Sequence, residues 1–119
     1  MLAIGHHWHV VFARSLSVAV EYRKRLHVSV ALYDCDLPGV DWRRGFQTIL
    51  DCGEPVCAIL LSHNVTTQLR RLVMESGGYD IAPKGDGESL GRLIDGALLL
   101  AKDADEAANA FMANDGLPV

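Results

Sequence analysis

Three polar residues stand where apolar runs stop: Asp34 after Val28–Tyr33, Ser62 after Val56–Leu61, and Lys84 two residues past Tyr79–Ala82. A carboxylate at a strand end can act as a nucleophile toward a phosphoryl group. The acyl phosphate formed adds negative charge, which requires donors and cations close by. The Ser62 hydroxyl can donate to a phosphoryl oxygen. The Lys84 ammonium can pair with the carboxylate or the phosphate as a point charge. Acid, hydroxyl and amine are what reversible aspartyl phosphorylation requires, and a metal usually completes such a site. Singly, each has a plainer reading. A strand-end serine usually serves a turn, a lone lysine is usually a solvated charge, and Asp34 can form a salt bridge with Lys84 without any chemistry. The trio together carries the phosphoryl reading, because a carboxylate at a buried strand end calls for a partner.

The elements that must position these residues alternate between strand and helix. His9–Ala13 is short, apolar and rich in β-branched residues, which predicts a strand. Ser15 or Ser17 can cap a helix running to about Leu26, with Leu16, Ala19 and Val20 on one face. Val28–Tyr33 predicts a second strand, and Leu37-Pro38-Gly39 signals a turn. Trp42–Cys52 reads as a helix with Phe46, Ile49 and Leu50 inward, ended by Gly53. Val56–Leu61 is continuously apolar, as expected of a strand buried on both faces. Asn64–Ser76 reads as a helix with Leu69, Leu72 and Val73 inside, broken by Gly77-Gly78. Tyr79–Ala82 predicts a fourth strand. Glu88–Lys102 is a helix with Leu90, Leu93, Ile94, Ala97 and Leu98 at helical spacing. Asp103–Met112 can extend it, and Asn114–Val119 reads as a loose tail. This alternation predicts an α/β fold with a parallel sheet covered on both faces, whose chemistry gathers at the carboxyl ends of the strands.

Composition narrows the function classes. The chain has 119 residues, half of them hydrophobic. This fits one domain with a packed core, about residues 9–102, followed by a helical extension and tail. A net charge of -4 argues against nucleic-acid binding through the protein's own field. No apolar run is long enough to span a bilayer, and no signal peptide is read at the start. Cys35, Cys52 and Cys57 form no C-x-x-C pair, so reduced thiols in a cytoplasmic protein are expected. Cys35 reads as packing rather than a reactive thiol. His6-His7-Trp8-His9 lacks an acidic or cysteine partner at metal spacing and reads as a polar loop. Arg43-Arg44 and Arg70-Arg71 read as solvated helix faces.

The segment Tyr33-Asp34-Cys35-Asp36-Leu37-Pro38-Gly39-Val40-Asp41 resembles the phosphoacceptor loop of the response-regulator receiver family of two-component signalling. Ile59-Leu60-Leu61-Ser62 is similar to that family's fourth strand, and Gly77–Lys84 to the strand that carries its lysine. The resemblance runs from about Val10 to Ala101. It implies a flavodoxin-like fold, phosphate on Asp34, sensing by Ser62 and contact from Lys84. It also implies Mg2+ at Asp34 and the backbone carbonyl of Asp36, and a histidine kinase or another signalling protein as partner. The implied role is a phosphorelay module, not an enzyme.

The departures are specific. The family's acidic pair after its first strand has no counterpart, since Glu21 is the one acid before Asp34 and lies mid-helix. Val10–Ala13 matches the family's second strand, so its first strand and helix are missing and about four strands are expected. The sheet would then close up or pair in a homodimer, or the natural chain would start upstream of Met1. Gly85 replaces a proline that is cis in the family, and a cis bond before a non-proline costs about 2.5–4 kcal/mol, so a trans bond and a shifted loop are expected. Ile81 stands in place of an aromatic, and His63 in place of a small residue. These departures motivate a second reading, a degenerate receiver that acts only through protein–protein contacts. Asp36 and Asp41 fit loop solvation and helix capping as well as metal contact. A third reading is a phosphohydrolase similar to the haloacid dehalogenases, with Asp34 as nucleophile and Asp36 as acid/base. Pro38 departs from that pattern, and Asp86 alone is a weak later metal ligand.

Overall fold

The computed structural model describes residues 13–36, 39 and 41–116, with side chains described through residue 101. Its elements run α1 (Leu16–Arg25), β1 (Val30–Asp34), α2 (Trp42–Asp51), β2 (Cys57–Ser62), α3 (Thr67–Glu75), β3 (Asp80–Pro83) and α4 (Gly87–Gly116). The three described strands form one parallel sheet in the order β1-β2-β3. The expected strand His9–Ala13 lies outside the described residues except for Ala13, which is not in a strand. The tail expected from Asn114 is helical through Gly116, the end of α4, and its remaining residues lie outside the described ones.

The period-two alternation of β2 divides the core. Tyr33, Ala58, Leu60 and Ile81 face Phe46, Ile49 and Val73 of α2 and α3. Leu16, Ala19 and Val20 bring α1 onto the same layer. On the other face, Ile59 and Ala82 meet Leu90 and Ile94 of α4. β2 is buried on both sides, which is why its sequence is an unbroken apolar run. Of the inward residues read from the sequence in the four helices, all but Leu72 are buried in the core or packed against it.

Helix ends follow local chemistry. Ser15 Oγ accepts the Val18 N–H at 3.3 Å and fixes the start of α1. The sequence reading began α3 at Asn64, but the helix starts at Thr67, with Thr66 Oγ1 accepting the Leu69 N–H at 3.0 Å. Asn64 is taken by Ser62 instead, as described below.

One charged residue belongs to the core. Arg23 follows Leu16, Ala19 and Val20 on the inner stripe of α1 and is 5% exposed. Its Nε donates to the Ile49 carbonyl at 3.0 Å, and its Nη2 donates to the Glu54 carbonyl at 2.7 Å. Ile49 is in the last turn of α2, where carbonyls lack helical partners and carry negative partial charge. Gly53 permits the approach: its φ is +96°, and a Cβ there would stand 3.0 Å from the Arg23 carbonyl oxygen. The arginine ties α1 to the turn leading into β2. Arg23→Ala should therefore lower stability by about 1–3 kcal/mol in urea denaturation, since the Ile49 carbonyl would keep only the Cys52 thiol and the Glu54 carbonyl would lose its guanidinium donor. Arg23→Lys should recover only part of this, since an ammonium cannot reproduce the forked geometry. A loss within about 0.5 kcal/mol for Arg23→Ala, the range of an ordinary surface substitution, would remove this role.

Candidate functional site at the carboxyl edge of the sheet

The site begins with strand register. Asp34, the last residue of β1, pairs with Leu61, and the Cys35 N–H extends the ladder to the Leu61 carbonyl at 2.9 Å. Ser62 ends β2 opposite Pro83, and the Lys84 N–H donates to the Ser62 carbonyl at 2.9 Å. Asp34, Ser62 and Lys84 thus leave three adjacent strands at one edge, as expected from where the apolar runs stop.

Two of the three side chains meet. Lys84 Nζ lies 2.5 Å from Asp34 Oδ1 and 2.7 Å from Asp36 Oδ2. The Asp36 N–H donates to Asp34 Oδ1 at 2.8 Å, closing a two-residue turn that brings both carboxylates to the ammonium. His63 Nε2 is 3.8 Å from Asp36 Oδ2. The lysine side chain keeps 19% of its exposure, against 43% for Asp34 and 50% for Asp36. Asp34 is therefore not the buried carboxylate that its strand-end position suggested.

Ser62 is 5% exposed but turns away from this cluster. Its Oγ donates to the Asn64 carbonyl at 3.1 Å and accepts the Asn64 N–H at 3.2 Å. Asp86, considered above as a later metal ligand, caps α4: it accepts the Ser89 N–H at 3.1 Å and the Ser89 hydroxyl at 2.8 Å. Asp41 occupies the N-cap position of α2 without a side-chain capping bond. Gly85 lets the chain turn directly after the lysine, with φ +85°. The described peptide bonds are all trans, as expected for Gly85 in place of proline.

Electrostatics follow from these contacts. Burial pushes the Asp34 carboxyl up, but hydrogen bonds from Lys84 and from the Asp36 N–H outweigh it and hold the group below its ordinary value. For Asp36 the Lys84 hydrogen bond is the largest influence, and it too lies below the ordinary carboxylate value. Lys84 is raised, first by Asp34 and then by Asp36. The Tyr33 thread of the core ends close by: its hydroxyl is buried without a hydrogen-bond partner among the described residues, and burial raises its pKa.

Among the described residues, the side chains at this edge do not fit a Mg2+ site. Mg2+ requires near-octahedral oxygen coordination, usually one or two carboxylates plus water and substrate phosphate. Here one oxygen of each carboxylate is already committed to the same ammonium. Among the described residues no group of three or more His, Cys, Asp or Glu is arranged to hold a metal. The arrangement is instead an ion-paired, half-exposed carboxylate, ionised at neutral pH, with its cation supplied by the chain.

The sequence reading joined Asp34 to Lys84 as a possible salt bridge. It missed that Lys84 also holds Asp36, and that His63 borders the same carboxylate. No family model matches the chain, and no curated protein is significantly similar to it. No described helix is long and apolar enough to cross a membrane.

The pKa directions give a pH dependence with a definite sign. A depressed carboxylate contributes stability that is present above its ordinary pKa and is lost as pH falls through the depressed value. A raised lysine contributes stability that is lost only as pH rises through its elevated value. The stability advantage of the native chain over Lys84→Met should be level from about pH 5 to pH 9 and shrink below about pH 4. Urea midpoints across that range measure it. An advantage that grows on acidification would contradict the pairing.

Proposed function

We propose that the chain is a receiver-type module of two-component signalling, with Asp34 at the phosphoacceptor position. The observation that carries this reading is the Lys84 ammonium held 2.5 Å from Asp34 at the common edge of a parallel α/β sheet. Receiver chemistry needs an accessible carboxylate beside a fixed cation, and these residues supply both. A flavodoxin-like arrangement of the whole domain belongs to the same proposal, as does a phosphohistidine-bearing signalling protein as donor.

In the transfer, the free oxygen of the Asp34 carboxylate attacks phosphorus. The phosphorus–nitrogen bond of the donor breaks, and the leaving nitrogen takes a proton from solvent. Lys84 then pairs with the phosphoryl oxygens in place of the carboxylate. Ser62 must give up its bonds to Asn64 if it is to donate to the phosphoryl group.

A second reading rests on the same geometry. Lys84 is shared by two carboxylates and the Ser62 hydroxyl is already engaged, which suits an interaction module that works without phosphate. Treatment with phosphoramidate, followed by intact-mass measurement, separates the two. Phosphoryl acceptance predicts a gain of one phosphoryl group, lost in Asp34→Ala and retained without added divalent metal. A folded native chain that gains no mass would overturn the acceptor reading and leave the interaction module.

A further inference from the structure

The receiver resemblance calls for a divalent cation, and the residues at the carboxyl edge answer with a lysine. We infer that the Lys84 ammonium is the resident cation of the Asp34–Asp36 pair, and that divalent metal gains this site only when that ammonium is removed.

The argument starts from the oxygens. Lys84 Nζ is within 2.5 Å of Asp34 Oδ1 and 2.7 Å of Asp36 Oδ2, the range of charge-assisted hydrogen bonds. Two carboxylates that converge on one point are the usual request for a divalent ion, and here that point is taken. Mg2+ would need to approach the same oxygens to about 2.0–2.1 Å. It would then stand against an ammonium fixed on the same atoms, two cations within contact distance. Moving the lysine aside is opposed by its own setting. Its side chain keeps 19% of its exposure, less than either carboxylate, and is held by both.

The remaining oxygens do not make a substitute cage. Lys84 engages Asp34 Oδ1 and Asp36 Oδ2, and Asp36 Oδ1 accepts from the Cys35 thiol at 3.6 Å. His63 approaches the outer oxygen of the lysine pair, Asp36 Oδ2, rather than completing a ligand set. Two carboxylates and one ammonium together carry one net negative charge, whereas the acidic pair without the lysine would carry two. Lys84 thus lowers the field that would recruit a divalent ion as well as occupying its position.

This inference deepens the reading of Asp34 as an acceptor position, and it rests on that reading in naming Mg2+ as the ion to test. The experiment uses no phosphodonor, so its failure is distinct from a failure of phosphoryl transfer. The 15N-labelled chain is titrated with Mg2+ and, separately, with Mn2+, following the amides of residues 34–36 and 84–85. The native chain is expected to show no saturable Mg2+ shift there at millimolar concentrations and no Mn2+ broadening centred on Asp34 and Asp36. Lys84→Met is expected to acquire both effects, with affinity raised about tenfold or more as a paired cation is exchanged for an apolar chain. Adding Asp34→Asn to Lys84→Met should abolish that gain. Lys84→Gln serves as a second charge-free variant should the Met variant lose amide dispersion. Saturable Mg2+ binding by the native chain at these amides would overturn the inference. So would folded charge-free variants that bind no better than the native chain.

Discussion

A single ammonium shared by two carboxylates sets what the carboxyl edge of this sheet can do. Asp34 and Asp36 leave β1, whereas Lys84 leaves β3, with β2 between them. Neighbouring strands lie about 4.8 Å apart, so the contact must cross the end of a whole strand. A long, flexible lysine stem can do this, and a shorter cation could not. Ser62 makes the crossing open by ending β2 in a small side chain that folds back on Asn64.

The crossing works only if three strand ends are held in fixed register, and the two halves of the core do that. Phe46, Ile49 and Val73 press on one face of the sheet, and Leu90 and Ile94 on the other. Gly78 shows how closely the first half is packed: a Cβ there would lie 2.6 Å from Val73 and 2.7 Å from Phe46. Arg23 secures the connection from α2 into β2 through two carbonyls. The edge is thus positioned by apolar packing and one buried guanidinium, while its own charged groups remain half-exposed and available to solvent and partners.

The sequence made much of this legible, and for identifiable reasons. Apolar runs stop where strands stop, so the sequence alone assigns Asp34, Ser62 and Lys84 to one edge. Helical periodicity located the inward faces of α1 through α4, and the glycine after α2 marked its end. What could not be read was side-chain choice among close alternatives. Ser62 had the whole edge before it and satisfied itself two residues away, which also delayed the start of α3 to Thr67. Lys84 took two carboxylates rather than one because the Asp36 N–H folds the loop back onto Asp34. Arg23 carried a signal that was passed over: a charged residue at the next position of an otherwise apolar helical stripe. The exposure of Asp34 could not be read because a strand end does not by itself dictate burial: its side chain keeps 43% of its exposure.

The sharing of Lys84 is the central claim, and the chain's composition makes it directly observable. There are three lysines, at positions 24, 84 and 102, and Lys24 is exposed. Selective 15N-lysine labelling therefore yields a spectrum with few ammonium signals to assign. The account predicts that the Lys84 ammonium exchanges its protons with water more slowly than Lys24 at neutral pH, and that Asp34→Asn and Asp36→Asn each speed that exchange. A Lys84 signal that exchanges as fast as Lys24 and ignores both substitutions would contradict it.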